Sequence, residues 1–135
     1  MPKAGDGGAI LVGSPEAAMR DELAKLVSEG LGRAVVGVSE SSDLLLELIG
    51  RDVDLVILDT NLGGLPVADT VQIMKKCRPR VPVVVISDDY SVATGSRIME
   101  QGVFYYMYKP VDMGSLLKII ESALKKRARE AAVGP

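Results

Sequence analysis

Five times along this chain a short apolar run gives way to a segment whose apolar residues recur at helical spacing. The runs are 9–12, 34–38, 54–59, 83–86 and 103–107. Between and after them come Leu23, Leu26 and Val27; Leu44, Leu45, Leu48 and Ile49; Val71, Ile73, Met74 and Cys77; a segment over 91–101; and Leu116, Leu117, Ile119, Ile120 and Leu124. Few architectures accept this pattern. Strands that are apolar throughout, rather than at every second residue, are buried on both faces, which is the condition of a parallel sheet covered by helices on each side. Right-handed crossovers then prune the topologies further.

The reading that follows is an α/β three-layer sandwich of the flavodoxin-like kind, with a parallel five-stranded sheet of order 2-1-3-4-5. Local punctuation agrees with it. Ser14 followed by Pro15 predicts a helix start, with Ser14 as N-cap. Gly30 is expected to end the first helix, Ser41 or Ser42 to cap the second, Gly50 to close it, and Gly102 to stop the fourth. The 135 residues suit one domain, expected over 9–128. Residues 1–8 read as a flexible lead without the apolar core of a signal peptide, and 129–135 as a tail or linker. The basic run Lys125-Lys126-Arg127-Ala128-Arg129 is read as a helix C-terminus, where cations offset the macrodipole.

Composition narrows the chemistry. The chain has no histidine, which excludes a Ser-His-Asp triad, a histidine general base and a histidine-ligated zinc site. Cys77 is the single cysteine, so no intrachain disulfide can form, and a reducing, cytoplasmic setting fits. A net charge of −2 gives no general attraction to nucleic acid or anionic membranes. No apolar run approaches the roughly 20 residues of a membrane span.

Ligands of open parallel sheets bind beyond the carboxyl ends of the strands. Those ends carry Gly13 and Ser14 on strand one, Asp59 on strand three, Ser87, Asp88 and Asp89 on strand four, and Lys109 on strand five. A carboxylate, a hydroxyl and an ammonium converging on one edge suit an anionic group, with Asp59 as nucleophile and Ser87 and Lys109 stabilising charge.

The run Asp54-Leu-Val-Ile-Leu-Asp59-Thr-Asn-Leu-Gly, with Ser87 and Lys109-Pro110 at their spacing from it, resembles response-regulator receiver domains over about residues 9 to 125. The resemblance implies a signalling module rather than an enzyme. Asp59 is then the phospho-acceptor of a two-component phosphorelay, supplied by a histidine kinase or phosphotransferase. Ser87 and Lys109 bind phosphoryl oxygens, the Lys109-Pro110 peptide is cis, and Ser87 and Tyr106 form the switch. Asn61 and Asp89 flank the phosphoryl group. The output is a downstream protein that meets the face built from the fourth helix, fifth strand and last helix. Oligomeric state is left open, a homodimer included.

The departures from the family are specific. Receiver domains place an acidic pair after strand one that helps to hold Mg²⁺, and Gly13 and Ser14 stand there instead. Asp59 and the backbone carbonyl of Asn61 remain as expected protein ligands, so Mg²⁺ is expected to bind weakly; Asp88, where the family usually has a small residue, either repels phosphate or partly replaces the lost ligands. Gly63 replaces a common proline, and Val67 stands where glycine is common. An atypical receiver phosphorylated on Asp59 is the first reading. A phosphorylation-independent pseudo-receiver acting as a protein scaffold is the alternative. A flavin- or nucleotide-binding protein is disfavoured, because no glycine-rich loop follows strand one.

Each residue also has a plain structural reading. Asp59 and Lys109 form an ion pair without chemistry, and Ser87 is a strand-end hydroxyl. Asp88 and Asp89 cap the fourth helix. Tyr106 and Tyr108 share one face of the last strand. Cys77 is a buried small hydrophobe on the third helix.

Overall fold

The computed structural model describes residues 7–133. Its elements run β1 (Ala9–Gly13), α1 (Ala17–Leu31), β2 (Val35–Val38), α2 (Ser41–Gly50), β3 (Val53–Asp59), α3 (Val67–Cys77), β4 (Val83–Ser87), α4 (Val92–Met99), β5 (Tyr105–Tyr108) and α5 (Met113–Val133). All strand pairs are parallel, and the sheet order is β2-β1-β3-β4-β5, as the alternation predicts.

The period of two along each strand divides the core into two halves. Leu11, Val56, Leu58, Val83 and Val85 face Leu44 and Leu48 of α2, Val71 and Met74 of α3 and Ile98 of α4. Ile10, Val12, Leu55, Ile57, Val84 and Ile86 face Leu23 and Val27 of α1 and Leu116, Ile120 and Ala123 of α5. The central strands therefore read as unbroken apolar runs because each face has its own helical layer. No helix among the described residues is long and apolar enough to cross a membrane.

Several element ends differ from their sequence expectation, and each has a local cause. Helix α1 ends at Gly32, which takes φ 64° and donates its N–H to Ser28 O, a left-handed cap that suits glycine. Gly30 lies inside the helix, where a Cβ would come within 3.0 Å of Leu117 on α5. Its value is the close approach of α1 to α5. Ser41 does not cap α2. It is the first residue of that helix, and its Oγ accepts from Leu65 N at 3.0 Å, tying α2 to the loop after β3. Strand β5 begins at Tyr105 rather than at 103, since the chain bends at Phe104 as it enters the sheet.

Cys77 is exposed, not buried, at the last turn of α3. The basic run near the end is not a helix terminus, because α5 continues to Val133 and its last turn carries no basic residue. The helix thus runs past the expected boundary at 128. Most of the expected lead lies outside the described residues, but Gly8 is buried and held. Its N–H donates to Asp54 Oδ2 at 2.8 Å and its carbonyl accepts from Arg33 at 2.9 Å.

Helix α4 is capped by Ser91, whose Oγ accepts from Thr94 N at 3.1 Å, rather than by Asp88 or Asp89. Asp89 acts one step earlier: its carboxylate accepts from Ser91 N at 2.9 Å, and that backbone hydrogen bond is the main cause of its lowered pKa. Ser91→Ala removes the acceptor for one orphan helix donor. Urea unfolding is expected to show a loss of about 1 kcal/mol, and an unchanged midpoint would mean that Asp89 alone sets the start of α4.

Candidate phosphoryl-acceptor site

Register brings the strand ends together. Gly13 pairs with Leu58, Asp59 with Ile86, and Ser87 with Tyr108. The residues that end or follow β1, β3, β4 and β5 therefore share one edge of the sheet. Asp59 is the centre of that edge, a carboxylate only 1% exposed.

A buried carboxylate must be hydrogen-bonded and neutralised to be tolerated. Both requirements are met here. Asp59 Oδ2 accepts from Ser14 Oγ at 2.8 Å and from Lys109 Nζ at 3.1 Å. Its Oδ1 accepts from Asn61 N at 2.9 Å. Lys109 also reaches Glu16 Oε2 at 3.2 Å, so one ammonium joins two carboxylates. Burial alone would lower the Lys109 pKa. The hydrogen bonds to Asp59 and Glu16 outweigh it and raise the pKa above its ordinary value. The Lys109-Pro110 peptide is cis, as the resemblance implies.

Ser14 is not the N-cap of α1. That position belongs to Glu16, which makes no side-chain cap bond. Ser14 is fully buried, and its hydroxyl turns inward to Asp59 while accepting from Glu16 N at 3.1 Å. Its backbone is fixed as well, since its N–H donates to Val38 O at 3.0 Å and its carbonyl accepts from Arg20 Nη1 at 2.7 Å. A local cap was given up for a buried charged acceptor, which forms the stronger bond.

Ser87 sits beside this cluster without a hydrogen bond to Asp59. Its Oγ donates to Asp89 O at 3.1 Å and accepts from Asp89 N at 2.9 Å and from Thr60 Oγ1 at 3.3 Å. The Asn61 side-chain amide donates to Asp88 Oδ2 at 2.9 Å, which latches the loop after β3 to the loop after β4. An open recess of about 260 Å³, lined by Thr60, Asn61, Asp89 and Arg97 among others, lies alongside that latch.

The donors do not fit a resident Mg²⁺. Asp59 Oδ2 already accepts from two donors and Oδ1 from one, Glu16 is turned to Lys109, and Asp88 is held by Asn61. Among the described residues no three Asp, Glu, Cys or His side chains gather as a metal site would need.

Tyr106 is half-buried against the α2–α4 half of the core, and its hydroxyl is buried with no partner among the described residues. Gly95 on α4 lies against that hydroxyl; a Cβ there would stand 4.0 Å away. Tyr106 meets Tyr108 edge to face at a centroid distance of 5.5 Å, so the two share one side of β5. Tyr90 stacks on Tyr108 at 4.6 Å, and its hydroxyl donates to Lys109 O at 2.9 Å.

Tyr90, Glu16 and Arg20 were not legible as site residues. Glu16 alone carried a signal, an acidic side chain in the loop that follows β1.

Comparison with known proteins bears on the family and the fold. A family model described as the response regulator receiver domain matches residues 10–121. The DNA-binding transcriptional regulator NtrC of Rhizobium meliloti is 32% identical over 123 residues, covering 91% of this chain and 25% of that protein. The chain thus spans about a quarter of the length of the NtrC proteins it matches. The receiver domain of NtrX from Brucella abortus superposes with a TM-score of 0.79 at 29% identity, covering 86% of this chain and 98% of that one. A CheY-like receiver domain protein from Methanospirillum hungatei reaches a TM-score of 0.86 over 93% of this chain and 99% of that one, at 20% identity, a likeness of fold.

Proposed function

Since the chain belongs to the response regulator receiver domain family, we propose that it is an atypical receiver that accepts a phosphoryl group on Asp59 and thereby alters its contacts with other proteins. Receiver domains work with histidine kinases and downstream effectors. The reading adds that a cytoplasmic kinase or phosphotransferase supplies the group here, and that a downstream protein meets the α4–β5–α5 face. The observation that carries it is Lys109 Nζ, 3.1 Å from Asp59 Oδ2 at the carboxyl edge of the sheet.

In the transfer, an oxygen of Asp59 forms a bond to phosphorus as the P–N bond of a phosphohistidine breaks. The bonding electron pair leaves with the imidazole nitrogen. Lys109 offsets the added negative charge, and Ser87 exchanges its Asp89 partner for a phosphoryl oxygen. The vacated side of Ser87 draws Tyr106 inward, a population shift between two packings. No step is assigned to a metal.

A second reading, a scaffold that works without phosphorylation, is favoured by the Ser14 bond. That hydroxyl and Lys109 together leave Oδ2 with two donors already in place. Intact mass after incubation with phosphoramidate, with and without Mg²⁺, separates the two. Addition of one phosphoryl group that is lost in Asp59→Asn supports the acceptor. No addition under either condition overturns it and leaves the scaffold.

A further inference from the structure

At the opposite edge of the sheet, where β4 and β5 begin, a cleft of about 760 Å³ opens between the ends of α3 and α5. Its charge is lopsided. Lys75, Arg80, Lys126, Arg127 and Arg129 line it with a single acid, Glu130, in a chain whose net charge is −2. Two of the cations are already matched: Lys126 pairs with Glu130 at 2.7 Å, and Arg127 lies 3.5 Å from Asp54, which also binds Arg33. Lys75, Arg80 and Arg129 have no carboxylate within salt-bridge distance among the described residues.

Lys75 is half-buried and spends one proton on Val81 O at 3.1 Å, which leaves two further donors. Burial, and next the charge of Lys126, lower its pKa, so the site holds positive charge that is poorly solvated and mutually repelling. Beside these cations the wall is apolar: Phe104, Val103 and Pro82. A cleft of this volume fits a small ligand. The pairing of phosphate-binding cations with an aromatic wall fits a charged chain that carries a planar group.

We propose that this cleft binds a small organic oligophosphate of the nucleotide type, its phosphates on Lys75, Arg80 and Arg129 and its ring system against Phe104. The site is separate from Asp59 and independent of whether Asp59 is phosphorylated. Concavity and the acidic balance of the whole chain favour a small ligand over a nucleic-acid strand, which needs an extended basic track.

Titration calorimetry of the 135-residue chain, at low salt and without Mg²⁺, tests this with ATP and tripolyphosphate as probes. The expected result is one saturable site for ATP. The exposed pair Arg80→Ala/Arg129→Ala should weaken it roughly tenfold or more, as lost charge-assisted hydrogen bonds would. Lys118→Ala, an exposed cation on α5 outside the cleft, should leave it unchanged. Circular dichroism checks that the double variant keeps its fold. Tripolyphosphate binding at the same site, equal or weaker, also supports the assignment and apportions the affinity between phosphates and ring. No saturable binding of either probe up to about 1 mM, equal losses in Lys118→Ala, an unaffected double variant, or tighter binding of a short DNA duplex than of ATP would each overturn it.

Discussion

Lys109→Met is expected to lower the unfolding free energy by about 3 kcal/mol, read as a shift in the urea midpoint at neutral pH. The cause is what the substitution leaves behind. Asp59 is 1% exposed, and Lys109 is the cation in contact with it. Ser14 and Asn61 N–H would remain as neutral donors to a buried negative charge. Removing one partner of a buried pair costs more than the pair contributes, because the other ion cannot return to water. Adding Asp59→Asn to Lys109→Met should therefore recover most of the loss. A double variant as unstable as Lys109→Met alone would show that the lysine stem, not its charge, is what matters.

The same pair predicts an alkaline limb. The folded-state pKa of Lys109 lies above its ordinary value of 10.5. Its contribution to stability is complete below that ordinary value and declines as pH rises through the folded pKa. Wild-type protein should lose stability above about pH 10.5 more steeply than Lys109→Met, which lacks the titrating group. Parallel curves would remove Lys109 from the account.

The order of the sheet was readable because both faces of β1, β3 and β4 are covered, so their sequences carry no polar alternation to confuse with a surface strand. Asp59, Ser87 and Lys109 were readable for the related reason that parallel register sends the carboxyl ends of strands to one edge. What escaped was set by distant partners. Ser14 and Ser41 sit in sequence contexts that suit N-caps, but each hydroxyl is claimed from afar, one by Asp59 and the other by Leu65 N. Lys109 and Glu16 are 93 positions apart, and no local pattern links them. Cys77 keeps helical spacing with Met74, but it is the final residue of α3, and periodicity says nothing about where a helix leaves the core. The extent of α5 was obscured in the same way: its basic run is answered by Glu130 four residues on and by Asp54 on β3, not by a helix end.

Ser14→Asp should lower stability by about 3 kcal/mol or more without divalent cation, and part of the loss should return with Mg²⁺. The serine hydroxyl stands 2.8 Å from Asp59 Oδ2 and is fully buried. An ionised aspartate there donates nothing and brings a second negative charge against the first, with Lys109 as the ammonium to be shared. A second carboxylate directly against Asp59 is, however, the donor chemistry that a hard dication prefers, whereas here the neighbouring Glu16 is turned to Lys109 and Asp88 to Asn61. A metal that binds the folded chain alone stabilises it by RT ln(1 + [Mg²⁺]/Kd), about 1.4 kcal/mol at a tenfold excess over Kd. The thermal midpoint of Ser14→Asp should thus climb with Mg²⁺ concentration, while that of the wild type moves less. In Ser14→Asn, a neutral side chain of similar size, the midpoint should not climb. If the aspartate variant proves indifferent to Mg²⁺, the missing acidic residue is not what separates this site from a metal-binding one, and the ammonium of Lys109 on Asp59 becomes the barrier to test next.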